Sequence, residues 1–500
     1  MQVLVRAWLA SVPALSILLW MPVVAMLIIA VVPASRGRLL RTLALTGTAS
    51  TLAWSIFITV GFDASLATLQ LVERRPWAPE MGMSYALGVD GLALPLVLLT
   101  TLMGFVAMLV AVRQRDQAKI FFAWLLVLEF AVLGVFLSQD WFLFYVFWEI
   151  TLIPMFFLIG MWGGEKRVLA SVTFFLYTFA GSIVMLVSML AVHVYLPSHS
   201  FDMVADLAAR DTWDAAFQTK IFAGFLLGFA VKLPIVPLHG WLPLAHVEAP
   251  TPASMFLSAV LLKMGAYGIM RSGQMLPLGL EALAPVLSIF AVVNIGYGAV
   301  LAWRRTDLKA MVAFSSVSHM GIVILGIAAL NERGFVGASM TMLTHGLTSG
   351  ALFLLVGAIY ERTHSRQLED LVGIGARVPV YAGFMALALL ANMGMPGFAG
   401  FIAELNAMLG ALARFGAWAL CATFGVLITA AYCLRNIGRM FFSKGYKGAD
   451  VTDLSRSETI GAAILVGLCL VIGIVPSPLL GVIRPTVQAM LPAIEQDGLR

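Results

Sequence analysis

The chain has 500 residues, of which 61% are hydrophobic and 11% charged, against about 25% charged in an ordinary soluble domain. With a mean hydropathy of +0.96, this composition excludes a soluble enzyme and describes a polytopic membrane protein. The formal charge of +5 comes from basic residues in short loops, with no aromatic-interleaved patch suited to nucleic acid.

A membrane-crossing helix takes about 20 apolar residues, and the sequence predicts an all-α bundle with fourteen of them. The spans are 12–32, 42–62, 91–112, 118–138, 141–162, 168–196, 218–239, 253–271, 283–303, 309–330, 335–360, 378–405, 414–434 and 459–480. The first run exceeds the roughly 7–15 residues of a signal-peptide core and is read as a retained helix. Between it and the second helix stand Arg36, Arg38 and Arg41. Every second loop after that is basic too, through Arg113, Arg115 and Lys119, then Lys166 and Arg167, then Arg304, Arg305 and Lys309. Arg362, Arg366 and Arg377, and finally Arg435, Arg439, Lys444, Lys447 and Arg456, complete nineteen on one face. The opposite face carries ten, among them Arg74, Arg271 and Arg500. The positive-inside bias therefore predicts both termini outside. The two longer outer loops, 63–90 and 197–217, are expected to form small caps, with Asp90 as N-cap of the third helix.

Two spans carry internal breaks. In the seventh, Lys232 is followed at once by Leu233-Pro234, and Pro237, Gly240, Pro243, Pro250 and Pro252 come after. The twelfth has Gly394, Pro396, Gly397 and Gly400 just before Glu404. Proline removes a backbone donor, and such a break survives at membrane depth only where protein or a watery cavity re-satisfies the backbone. Interrupted helices at matching places in two halves point to an inverted repeat. The expected organisation is 1–117 for helices 1–3, 118–272 for a first repeat of helices 4–8, 273–440 for a second of helices 9–13, and 441–500 for the last helix.

Ionisable residues inside spans are expensive and normally face a bundle interior with a partner. Glu149, Lys232, Lys263, His319, His345 and Glu404 form the candidate row, with Glu129 and Asp140 placed nearer the outer rim. A carboxylate beside a buried ammonium holds its proton, and withdrawing the carboxylate releases it. Glu149 and Lys232 would start such a transfer, Lys263 would receive the proton, the histidines would relay it, and Glu404 would end the row. Haem ligation by His319 and His345, and zinc at His239 and His246, both lack the further ligands that those sites need. Cys421, Cys433 and Cys469 show no C-x-x-C pair and read as small buried hydrophobes. No phosphate loop or dinucleotide fingerprint appears.

The stretch VKLP followed by HGWLPLAHVEAPTPASMFLSAVLLKMGAYGIMR, with DLKAMVAFSSVSHMG and YERTHSRQLEDLVGIGARVP, resembles the antiporter-like membrane subunits of respiratory complex I and of multisubunit cation/proton antiporters. The resemblance covers roughly residues 85–440. It implies a fourteen-helix fold with two inverted five-helix repeats, a Glu149–Lys232 pair, Lys263 as central relay and Glu404 as terminal residue. His319 and His345 match histidines of the family's hydrophilic axis. The resemblance also implies a place in a bacterial inner membrane, with termini on the periplasmic side, among lipid and other membrane-arm subunits that include sister antiporter-like chains. NADH, FMN, iron–sulfur clusters and quinone would be handled by partner subunits, none by this chain. Glutamate rather than lysine in the twelfth helix favours the respiratory complex over a sodium/proton antiporter subunit. The same residues are also compatible with a non-conducting spacer or with a membrane-bound hydrogenase arm.

Overall fold

The computed structural model describes residues 2–114, 116–196 and 199–491. Arg115 and Arg500, counted above, lie outside the described residues, as do 197–198 of the second outer loop and the last part of 441–500.

A short α1 (Gln2–Ala10) precedes α2 (Ala14–Val31) and α3 (Gly37–Gly61). Strands β1 (Gln70–Ala78) and β2 (Met83–Val89) then pair as an antiparallel hairpin. Helices α4 (Ala93–Ala111) and α5 (Ala118–Leu137) follow, then α6 (Trp141–Ile150) running into α7 (Leu152–Trp162), and α8 (Arg167–Tyr195). A short α9 (Met203–Ala209) lies in the second outer loop, before α10 (Ala215–Lys232) and α11 (Trp241–Glu248). Next come α12 (Thr251–Phe256), a π-helical turn at Leu257–Leu261, α13 (Leu262–Met275), α14 (Pro277–Arg304), α15 (Leu308–Ala328) and α16 (Glu332–Thr363). The chain closes with α17 (Pro379–Asn392), α18 (Ala399–Phe415), α19 (Ala422–Ile437), α20 (Arg456–Ile474) and α21 (Ser477–Met490).

Among the described residues, thirteen stretches are long and apolar enough to cross a membrane, and one of them, Ala399–Phe442, has 44 residues. At 1.5 Å per residue such a stretch would be about twice the hydrocarbon thickness, so α18 and α19 are separate passages, parted at Gly416 with φ +58°. The shorter apolar α17 joins α18 as the two halves of one broken passage, which brings the count to the fourteen expected. The hairpin departs from an all-helical expectation. QLVERRPWA alternates too weakly to announce a strand, and it is held by pairing with the more buried β2. Asp90 caps α4 as expected, accepting from the Leu92 and Ala93 amides at 3.1 and 2.9 Å. Its other oxygen meets Arg271 at 2.7 Å.

The helices differ in what surrounds them. The most hydrophobic stretch of α12–α13 and of α16 is wholly buried, and that of α15 is 94% buried, against 28% for α3. A helix buried all round sits at a core. These three carry a dense set of buried hydroxyls and both candidate histidines, including Ser258, Ser316, His319, Thr344, His345 and Ser349. The polar axis therefore runs where lipid does not reach.

The break after α10 is repaired by a residue that looks unremarkable in sequence. Asn294, fully buried in α14, accepts from the Val236 amide at 2.8 Å and donates to the Pro234 carbonyl at 3.1 Å. The Trp241 indole closes the other side by donating to the Val231 carbonyl at 2.8 Å. Replacing Asn294 by leucine strands both backbone groups, at about 1–3 kcal/mol each. A drop in the thermal midpoint of the purified protein is expected; an unchanged midpoint would show that other groups hold the break.

On the basic face, Glu458 of α20 ties three helices. It binds Arg362 of α16 through both oxygens at 2.7 and 3.0 Å, and Arg113, just past α4, at 2.7 Å. Arg362 and Lys309, assigned from sequence as ordinary loop charges, are thus structural pins: Lys309 is 7% exposed and donates to the Val247 and Ala249 carbonyls.

On the opposite face, Asp206 of α9 is fully buried and neither carboxylate oxygen has a hydrogen-bond partner among the described residues. Burial, then the neighbouring Asp202 charge, pushes its carboxyl up to about 8. A carboxyl raised above its unfolded value near 3.9 weakens the fold progressively as pH climbs from about 4 to 8. Asp206→Asn removes that penalty. The variant's melting midpoint should exceed the native one by an amount that grows between pH 5 and 8, and a constant difference would contradict the assignment.

Candidate functional site

The six candidate residues fall into two groups. Glu149 lies in the last turn of α6 and Lys232 ends α10. No direct ion pair joins them: the Lys232 ammonium donates to the Thr151 hydroxyl at 3.3 Å and lies over the rings of Trp148 and Phe174 at 5.3 and 5.5 Å. Glu149 instead has Ser182 and Tyr145 beside its carboxylate, and Lys232 acts on it only through the field. The expected pair is thus a near neighbourhood, with aromatic faces holding the ammonium.

The other four residues form one file. Lys263 is fully buried, its ammonium 2.5 Å from the Ser258 carbonyl and 2.7 Å from Nδ1 of His345. The His345 and His319 rings stand 5.4 Å apart between centroids. Nδ1 of His319 then meets Oε1 of Glu404 at 3.3 Å. Neighbouring groups are within reach of proton transfer directly or through one water.

Local folding explains each placement. The π-turn at Leu257–Leu261 widens the helix just ahead of Lys263, and π-bulges are frequent at functional sites. Here it leaves the Ser258 carbonyl to the ammonium. Glu404 is set by the break between α17 and α18, where Gly394 has φ +69° and Gly397 φ +98°. A Cβ on Gly394 would approach Oε2 of Glu404 to 2.7 Å, so glycine is needed there for both conformation and space. A cavity of about 10 Å³, bordered by His319, Thr344, Thr348, Asn392 and Glu404, lies along the end of the file. That is the threshold for a single water.

On the basic face a vestibule of about 960 Å³ opens among Lys309, Glu248, Arg366, Arg113, Glu361 and Thr251. No hydrogen bond or ion pair between described residues links Lys232 to Lys263, so the unbroken row expected from sequence is interrupted there. Glu129, expected near the rim, is fully buried in α5 against Gly104, and its oxygens find no partner among the described residues. Asp140 caps α6, accepting from the Phe142 and Leu143 amides at 2.9 and 3.0 Å. Cys433 and Cys469 are buried as expected, whereas Cys421 is exposed because it ends the turn between α18 and α19.

A bundle with two broken passages and a buried lysine–histidine–glutamate file defines an antiporter-like membrane subunit. The chain belongs to the family described as NADH:quinone oxidoreductase/Mrp antiporter, TM, which matches residues 138–429. It is 40% identical to NADH-quinone oxidoreductase subunit M of Rhodobacter capsulatus, over 97% of each chain. Among solved structures it is similar to a chain of respiratory complex I from Thermus thermophilus with bound NADH (TM-score 0.88, 30% identity, 96% of this chain and 99% of that one). It shares its fold with a chain of the Mrp complex from Dietzia (TM-score 0.84, 22% identity, 96% and 98% covered).

Proposed function

We propose that this chain is a proton-translocating membrane-arm subunit of an NADH:quinone oxidoreductase, of the type that its relatives call subunit M. The observation that carries the reading is the file Lys263–His345–His319–Glu404, built on helices shielded from lipid. Each member can take up and release a proton, and none is locked in a tight ion pair. Lys263 passes protons to His345, His319 forwards them and Glu404 hands them on. Glu149 and Lys232 act on the file electrostatically, as a charged pair whose separation changes the field at Lys263. Redox chemistry belongs to partner subunits that bind NADH, FMN, iron–sulfur clusters and quinone, and this chain holds none of these. Other membrane-arm chains and lipid surround it. The basic face is the inner one, with both termini outside. The parallel breaks after α10 and α17 support reading 118–272 and 273–440 as inverted repeats.

Glutamate at position 404 supports the respiratory assignment over sodium/proton antiport. A complex purified through a tag on this chain and placed in proteoliposomes should move protons when NADH and a quinone are supplied, equally well without sodium. Transport that requires sodium, or a complex that does not oxidise NADH, would overturn the reading in favour of an antiporter.

A further inference from the structure

Far from the polar file, α3 is the least shielded of the apolar stretches among the described residues, at 28% buried. Along its first half, α2 and α3 enclose a groove of about 540 Å³. Trp20, Val24 and Ile28 of α2 form one wall, each about half exposed, and Thr46 and Ser50 of α3 form the other. The floor is the contact of Ala25 with Gly47. A Cβ on Gly47 would come within 2.6 Å of the Ala25 Cβ, so the two helices already touch there. From Ile17 to Ile28 the groove follows α2 for about 16 Å at 1.5 Å per residue. That is close to half of the ~30 Å hydrocarbon core, the depth of one leaflet.

The end of the groove on the basic face is positive. Arg38, Thr42, Thr46 and Ser50 recur every four residues along α3 and all are exposed, so one helical face leads from an arginine into the groove. Arg36, also exposed, is the N-cap residue of the same helix. Neither arginine has an ion pair among the described residues, and the sequence holds no aspartate or glutamate before Asp63. From α5, Lys119 adds a third charge by donating to the Ala30 and Val32 carbonyls at the end of α2, at 2.7 and 2.9 Å.

We infer that this groove binds an anionic phospholipid of the leaflet on the basic face, with one acyl chain between α2 and α3 and the phosphate on Arg36 and Arg38. Apolar walls one leaflet deep that end at unpaired arginines match both parts of such a molecule, and basic pockets between membrane helices hold such headgroups. A partner helix fits less well. It is about 10–12 Å across with its side chains, and it would have to bring its own acid to the arginines. The site stands apart from the proton file and is tested apart from it.

The test uses the intact complex, depleted of native lipid in detergent, and a phosphatidylglycerol with a photoreactive diazirine in one acyl chain. After illumination, peptide mass spectrometry should place the label on α2 and α3 between Ile17 and Ser50. Unlabelled phosphatidylglycerol should compete at least ~10-fold better than phosphatidylcholine. Each basic residue near the surface contributes about fivefold to the affinity for an anionic lipid. Arg36→Gln combined with Arg38→Gln should therefore weaken labelling ~25-fold, while lysine at both positions keeps it. Ser50→Phe fills the groove from an exposed position and should displace the chain while the complex keeps its thermal midpoint. Equal competition by the two lipids, or full labelling of the glutamine pair, would overturn the headgroup assignment. Label spread evenly over the exposed faces of α8 and α14 would show ordinary surrounding lipid and no site. A groove left unlabelled in the intact complex would show that a partner chain covers it, and the inference would fall.

Discussion

Replacing Lys263 by arginine is expected to stop proton translocation while the complex still assembles. The native ammonium is fully buried and, among the described residues, bonded to the Ser258 carbonyl and to His345. A guanidinium can satisfy both acceptors and keeps the positive charge, so the electrostatics of the core are preserved. What it cannot do is release a proton, because arginine stays protonated at every accessible pH. A lysine acting as a fixed charge tolerates the change. A lysine that cycles its proton does not, and a loss of ~10²–10⁴-fold follows from removing one transfer step. Dye-quench assays in inside-out vesicles, normalised to complex content on native gels, read the result directly. Native pumping by Lys263→Arg would take Lys263 out of the path.

Glu404→Gln is expected to have a comparable effect, ~10²-fold or more, for the opposite reason. The amide keeps the size of the carboxyl and can still meet Nδ1 of His319, now 3.3 Å from Oε1, so the break between α17 and α18 stays packed. It neither accepts nor yields a proton, and the file ends in a wall. Glu404→Asp shortens the reach by one methylene, and the adjoining cavity of about 10 Å³ then grows enough for a water to bridge the gap. Partial activity is therefore expected from the aspartate and almost none from the glutamine. If the two variants behave alike, position 404 matters for shape and not for proton exchange.

The fold was largely legible because long apolar runs, loop arginines and proline-glycine breaks are direct consequences of a lipid solvent. All fourteen passages and both breaks appear where those signals fall. The site was legible in part. Lysine, histidine and glutamate within apolar spans stand out singly, but sequence alone does not say which of them touch. Four of the six meet in one file, whereas Glu149 and Lys232 remain apart, with Thr151, Trp148 and Phe174 taking the contacts assigned to a carboxylate. Other features left little trace. A π-turn differs from an α-turn by one residue of register and carries no compositional mark. Nothing in the sequence singles out Asn294 as the residue that satisfies the broken backbone of the seventh passage. Lys309 directly follows the Asp307-Leu308 helix start, a position that could have marked it as inward-facing.

The most direct measurement is infrared difference spectroscopy of the turning-over complex, following the carboxyl band that appears when Glu404 takes up a proton. If protons reach Glu404 through Lys263, the band appears on adding NADH and quinone. It vanishes in Glu404→Gln and is also lost in Lys263→Arg, where the carboxyl itself is intact. A Glu404 band that persists undiminished in Lys263→Arg would contradict a file in which these two residues are joined.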